Sequence, residues 1–302
     1  MKKFILIIWM SLTVCLAVVG QQQASYTQYM FNGMSINPGY IGSHNGLDIV
    51  ALSRWQWAGL EGAPNTQTLA MHTDVPNKNI GLGAQFIRDE IAATQTTSVL
   101  FGYSYKVGLG NGVLSMGLQG GFQNFKTDLA SLYTINPDES FSENTSNMKP
   151  NFGAGLFYHN PIFYAGLSAP LLLKNNIEIS GENIHTQSRH YFVTSGAVFA
   201  LSSNIKLKPN VLLKVVDGAP ISVDYNMNVL INEILWLGVS LRPPESINFL
   251  MELNINQQFR VGYAYDYVID QTLSDMPASS HELLLNYQFK WFQEKVVTPR
   301  YF

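Results

Sequence analysis

Ser280-His281-Glu282 sets a hydroxyl, an imidazole and a carboxylate side by side. These are the side-chain types of a nucleophile, its base and its orienter. The chemistry needs them on one face, but in an extended chain Ser280 and His281 point to opposite faces. The run therefore predicts no hydrolase, and no catalytic residue is expected. The histidines are His44, His72, His159, His185, His190 and His281. None pair at a spacing that puts two ligands on one face of a strand or helix beside carboxylates, so no metal site is expected. His185 and His190 share a polar loop, where loop polarity accounts for them. Gly81-Leu82-Gly83 and Gly108-Leu109-Gly110-Asn111-Gly112 are glycine-rich, but no helix follows either to make a phosphate cradle. Neither a catalytic constellation nor a cofactor motif emerges.

The remaining charged residues carry more information. Asp48, Arg54, Lys214, Asp224, Arg242, Glu252, Arg260, Asp266, Glu282 and Lys290 each fall in the phase opposite the apolar residues of their segments. Both signs occur. Such a set suits an interior filled by ion pairs and water. A simple ion filter would use a ring of one sign.

The elements that position these charges are extended strands. Ile221, Val223, Tyr225, Met227 and Val229 alternate with Ser222, Asp224, Asn226 and Asn228, and four further segments up to Trp291 repeat the pattern. A side-chain period of two gives each strand one greasy and one polar face. Charges on the polar face in strand after strand suit a barrel lumen, with the greasy face toward lipid. The same reading places strands at Asp48–Trp57, Thr66–Thr73, Ile80–Arg88, Thr96–Val107, Val113–Phe125, Phe152–His159, Ile162–Ser168, Tyr191–Leu201, Lys206–Val216, Ile221–Leu230, Leu235–Arg242, Ile247–Ile255, Phe259–Ile269 and His281–Trp291. The expectation is an all-β fold, a transmembrane antiparallel β-barrel of about 14 strands with both termini periplasmic. Connections after even-numbered strands are short, as periplasmic turns are. The two long ones, Lys126–Asn151 and Ala169–His190, follow odd-numbered strands and read as solvated extracellular loops. Pro209 lacks the amide a closed ladder uses, which predicts a bulge or a rim position there.

At the N-terminus Lys2 and Lys3 precede an apolar run from Phe4 to Val19, with small residues before Gln21. This is a secretory signal peptide, residues 1–20. A lipoprotein reading is weakened because Leu12, Thr13 and Val14 supply no small residue before Cys15. Cys15 is the only cysteine, so cleavage after Gly20 leaves no thiol or disulfide chemistry. Charged residues make up 13% and aromatics 12% of the chain, yet no later apolar run spans a bilayer as a helix. That balance is awkward for a soluble globule. The net charge of −3 without a basic stripe gives no support to nucleic-acid binding. Residues 21–45 are polar and turn-rich and read as a periplasmic arm or plug. Residues 46–292 form the barrel, and 293–302 a periplasmic tail.

Several motifs together carry a resemblance. They are Tyr29-Met30-Phe31-Asn32-Gly33-Met34-Ser35-Ile36-Asn37-Pro38-Gly39-Tyr40-Ile41-Gly42, then Arg54-Trp55-Gln56-Trp57 with Gly62-Ala63-Pro64, then Gly262-Tyr263-Ala264-Tyr265-Asp266, Ser280-His281-Glu282 and Thr298-Pro299-Arg300-Tyr301-Phe302. In this order they resemble the PorP/SprF family over essentially the whole chain from Gln21. Gly39 and Trp55 depart from it, standing where alanine and a polar residue are commoner. The resemblance implies an outer-membrane component of the type IX secretion system of Bacteroidetes. Its implied partners are outer-membrane lipid, other secretion components, and secreted cargo or gliding adhesins with C-terminal sorting domains. Arg54, Gln56, Trp57, Gly62 and Pro64 are the candidate partner-binding residues, since an aromatic and a guanidinium at a rim suit a protein surface. The alternative from another class is a channel or hydrophobic-solute transporter plugged by residues 21–45.

Overall fold

The computed structural model describes residues 25–128, 145–179, 182–270, 279–290 and 301. The signal-peptide segment, Cys15 and the tail apart from Tyr301 lie outside the described residues. The chain forms fourteen antiparallel strands closed on themselves. They are β1 Leu47–Trp55, β2 Asn65–Asp74, β3 Ile80–Ile91, β4 Thr94–Leu109, β5 Gly112–Thr127, β6 Thr145–His159 and β7 Phe163–Ala169. Next come β8 His190–Ala197, β9 Ile205–Val216, β10 Ser222–Ile231, β11 Leu235–Arg242, β12 Ser246–Asn254, β13 Phe259–Val268 and β14 Ser280–Phe289. Each strand pairs with its sequence neighbour, and β1 closes on β14, with Leu47 opposite Phe289 and Trp55 opposite His281. Closure leaves no sheet edge, which a spanning sheet requires because lipid offers no hydrogen bonds.

The expected alternation appears strand by strand. On β14, Ser280, Glu282, Leu284, Asn286 and Gln288 are buried inward while Leu283 and Leu285 are exposed outward. On β12, Asn248, Leu250 and Glu252 face in, and Phe249, Met251 and Leu253 face out. An outer belt this apolar calls for lipid as its solvent.

Three features differ from the sequence expectation. The ladder at Pro209 has no bulge. The proline sits within β9, and β8 breaks at Val198 and resumes as Phe199–Ala200 in unchanged register. The missing amide is thus met by a gap in the partner strand. Secondly, β5 and β6 run well past the apolar belt, pairing as far as Thr127 with Thr145. The second long connection also carries a hairpin, Asn176–Ile179 with Glu182–Thr186. Strands above the membrane lack an apolar face, so periodicity does not mark them. Thirdly, the interior is not simply ion pairs and water. Val50, Leu52, Phe192, Leu212, Leu230, Trp236, Leu250, Ala264 and Leu284 form an apolar layer inside the barrel, against Tyr26, Tyr29, Met30, Phe31 and Ile36.

Candidate functional site: the segment inside the barrel

Those last five residues belong to the chain before β1. It folds as three short 3-10 turns, Tyr29–Phe31, Gly33–Ser35 and Pro38–Tyr40. From Tyr26 to Ile41 every residue apart from the glycine at 33 is buried. Short tight turns suit a segment with two glycines and a proline. They also satisfy some backbone groups locally, as from Phe31 N to Gln28 O at 3.0 Å and Tyr40 N to Asn37 O at 3.0 Å. The wall supplies further partners.

Toward the end that carries the long loops, Arg54 of β1, Asp266 of β13 and Glu282 of β14 converge. The Arg54 guanidinium lies 2.7 Å from Asp266 and 3.2 Å from Glu282. The Thr27 hydroxyl donates to Asp266 at 2.8 Å, and the Thr27 and Gln28 amides donate to the two Glu282 oxygens at 2.9 and 2.8 Å. One guanidinium facing two buried carboxylates leaves an excess of negative charge, which the segment's hydrogen-bond donors help to stabilise. Beside it Arg242 grips Asp224 with two 2.7 Å contacts.

Deeper in, Phe31 packs on Trp236 with ring centroids 6.1 Å apart. The Lys208 ammonium sits 5.6 Å from the Phe31 ring, 5.7 Å from Trp236 and 5.8 Å from Tyr164. A cation within about 6 Å of ring faces is attracted by their quadrupoles, the more so when desolvated. Lower still, the Asn37 side chain accepts from Gly39 N at 2.8 Å and donates to Leu156 O at 2.9 Å. The turn presses so closely on β5 and β6 that a Cβ on Gly117 would overlap Pro38, and one on Gly155 would overlap Asn37. Ser104 and Ser168 donate to the carbonyls of Ile41 and Ile36, each at 2.6 Å.

The predicted partner residues divide. Arg54 is buried in the lumen and holds the inner segment, so its guanidinium is not a rim feature. Gln56, Trp57 and Pro64 are half-buried and Gly62 is exposed, in the β1–β2 loop. Trp57 adopts φ 50°, its amide donates to Ser280 Oγ at 3.1 Å, and Ala92 N donates to Gly62 O at 2.9 Å. This loop is therefore braced against β14 and the β3–β4 turn. In the loops above β7 and β9, Lys174 lies 2.7 Å from Asp217 and holds its carboxyl below the usual range. Ser280 and Glu282 both face the lumen and His281 faces out, as the alternation required.

Sequence reasoning missed one cluster. His44, Asp48 and His72 offer ligand-type atoms all within 4.8 Å of one another. The signal lay in hairpin register: once Arg54 faces Thr66, Asp48 must face His72.

The family model of the type IX secretion system membrane protein PorP/SprF matches residues 18–287. No curated protein matches. Among solved structures, the Acinetobacter baumannii outer membrane protein Omp33 is 8% identical with a TM-score of 0.47, over 81% of this chain and 98% of that one. The CymD monoaromatic hydrocarbon channel is 10% identical at 0.48, over 85% and 92%. The translocator domain of the autotransporter NalP from Neisseria meningitidis is 12% identical at 0.44, over 87% and 93%. Parts of the motifs that carried the resemblance meet inside the barrel: Tyr29–Gly42 belongs to the inner segment, and Arg54, Asp266 and Glu282 hold its start. With the family model spanning nearly the whole chain, this protein belongs to the PorP/SprF family of type IX secretion system membrane proteins.

Proposed function

We propose that this outer-membrane component of type IX secretion is a closed scaffold that supports export or surface attachment of cargo with C-terminal sorting domains, including gliding adhesins. The family supports the pathway. The observation that favours a scaffold over a solute channel is the inner segment, which acts as a plug hydrogen-bonded to the wall at Tyr26–Gln28 and again at Ser35–Ile41. A recess of about 80 Å³ between Tyr26, Gln85, Gln119 and Gln123 remains, room for only a few waters. Cargo contacts are assigned to the loops at the long-loop end, with Gln56, Trp57, Gly62 and Pro64 among them.

Sidedness follows from loop length. With the short turns periplasmic, β14 ends on the periplasmic side. Ser25, however, lies beside Ser222, Asp224 and Arg242 at the long-loop end, whereas Gly46 enters β1 at the other end, where its amide donates to Asp74 at 2.6 Å. The inner segment therefore runs from the outer side down to the periplasm. Ser25 itself is therefore assigned to the outer end of the lumen, while the termini expected to be periplasmic lie outside the described residues.

The test is a mild-detergent pull-down of tagged protein from native outer membrane, paired with planar-bilayer conductance of the purified barrel. Recovery of secreted protein bearing a C-terminal sorting domain, with a silent bilayer, is expected. Large steady openings without co-purifying partners would move the assignment to an independent channel.

A further inference from the structure

Where the inner segment leaves the lumen, three side chains from different parts of the chain meet. His44 lies in the link to β1, Asp48 on β1 and His72 directly opposite it on β2. His44 Nδ1 is 2.9 Å from Asp48 Oδ2, a separation also usual between two ligands that share one small ion. The two imidazoles stand nearly parallel, 25° apart with centroids at 5.8 Å. Tyr40 packs edge-on against both, at 5.6 and 5.4 Å, and so restrains their orientation. Asp48 and His72 are buried while His44 is half-buried, which leaves a route for an ion from the periplasmic side.

We infer that His44, Asp48 and His72 form a binding site for a divalent transition metal, zinc being the best fit, which pins the exit of the inner segment to the first hairpin. Two imidazoles and a carboxylate are a donor set zinc takes, with a fourth position for water. Calcium and magnesium call for oxygen ligands and are disfavoured. Three neighbouring contacts bear on the site. The Asn286 side-chain amide donates to Asp48 Oδ1 and leaves Oδ2 facing His44. Gly42 N donates to His72 Nδ1 at 3.3 Å, a long bond that yields if the ion takes that nitrogen, while a flipped ring presents the other nitrogen instead. The nearby cation Lys106 is directed onto the Gly42 carbonyl at 2.9 Å. The site would act by coupling: His44 moves with the segment, and Asp48 and His72 belong to the wall, so bound metal opposes withdrawal of the segment.

The experiment uses the full-length folded barrel in detergent, carrying a histidine-free tag, stripped with chelator and then titrated with zinc ions alone. Calorimetry and metal counting are expected to show about one equivalent bound per chain, and thermal unfolding should move upward on zinc addition. His44→Ala and His72→Gln should each abolish both effects, and the control His281→Ala should change neither. His44 lies outside the strands, so its variant tests the site even if the His72 variant does not fold. Absence of zinc binding in wild type, or binding that survives both variants, would overturn the inference.

Discussion

Arg54 stands between two carboxylates that have no other guanidinium within salt-bridge range among the described residues. Truncating it leaves Asp266 and Glu282 buried with, among the described residues, the Thr27 and Gln28 donors. Breaking a buried pair in this way costs about 3–5 kcal/mol. Arg54→Ala is therefore expected to lower the unfolding temperature of the detergent-folded barrel and to make the inner segment sensitive to protease. Unchanged melting and protection would refute the role assigned to Arg54. From sequence alone the residue was legible as an inward charge, because its phase opposes Ile49, Ala51 and Trp55. Its partners were not legible, since two strands distant in sequence, β13 and β14, supply them. Gly39 was legible only as a departure from the family pattern. A Cβ there would come within 2.9 Å of Phe157 N and 3.0 Å of the Leu156 carbonyl carbon, so an alanine would force β6 or the turn to move.

At the scale of elements, the 3-10 turns around Asn37-Pro38-Gly39 fit a bay that exists because β5 and β6 carry glycine on their inner face. Gly117→Val or Gly155→Val would fill it against backbone on one side and Asn37 on the other. Overpacking of this kind costs about 1–3 kcal/mol. The barrel is expected to survive, because its ladder hydrogen bonds are untouched, while the segment is displaced. Limited proteolysis should then cut within residues 25–45 while gel mobility still reports a folded barrel. A segment that stays protected would show that the bay is not its seat. Strand positions were readable from sequence throughout the apolar belt. The extensions of β5 and β6 and the hairpin in the second long connection were not, because strands in water need no greasy face and so leave no period-two signal.

For the whole molecule, the direction of the inner segment matters most. If it runs from the outer side to the periplasm, a cysteine at Ser25 should react with a membrane-impermeant maleimide on intact cells. Residues 21–302 hold no other thiol. Gly62→Cys serves as the outer control, and Asn77→Cys, in the β2–β3 turn, as the periplasmic one. Labelling of Ser25→Cys only after the outer membrane is permeabilised would reverse the assigned direction. Labelling on intact cells together with a silent bilayer would fit a barrel that is filled along its length.

The chain by itself determined the strand count, the lipid-facing surface and the order of short and long connections. These follow from local alternation and turn chemistry, which neighbouring residues encode. Only the tertiary structure decided what fills the barrel. Thr27 meets Glu282 across 255 positions of sequence, and no local pattern announces such a contact. It arises because closing β1 onto β14 brings the two ends of the chain to one wall. The buried carboxylates there need donors, and the polar, turn-forming N-terminal segment supplies them from within the lumen.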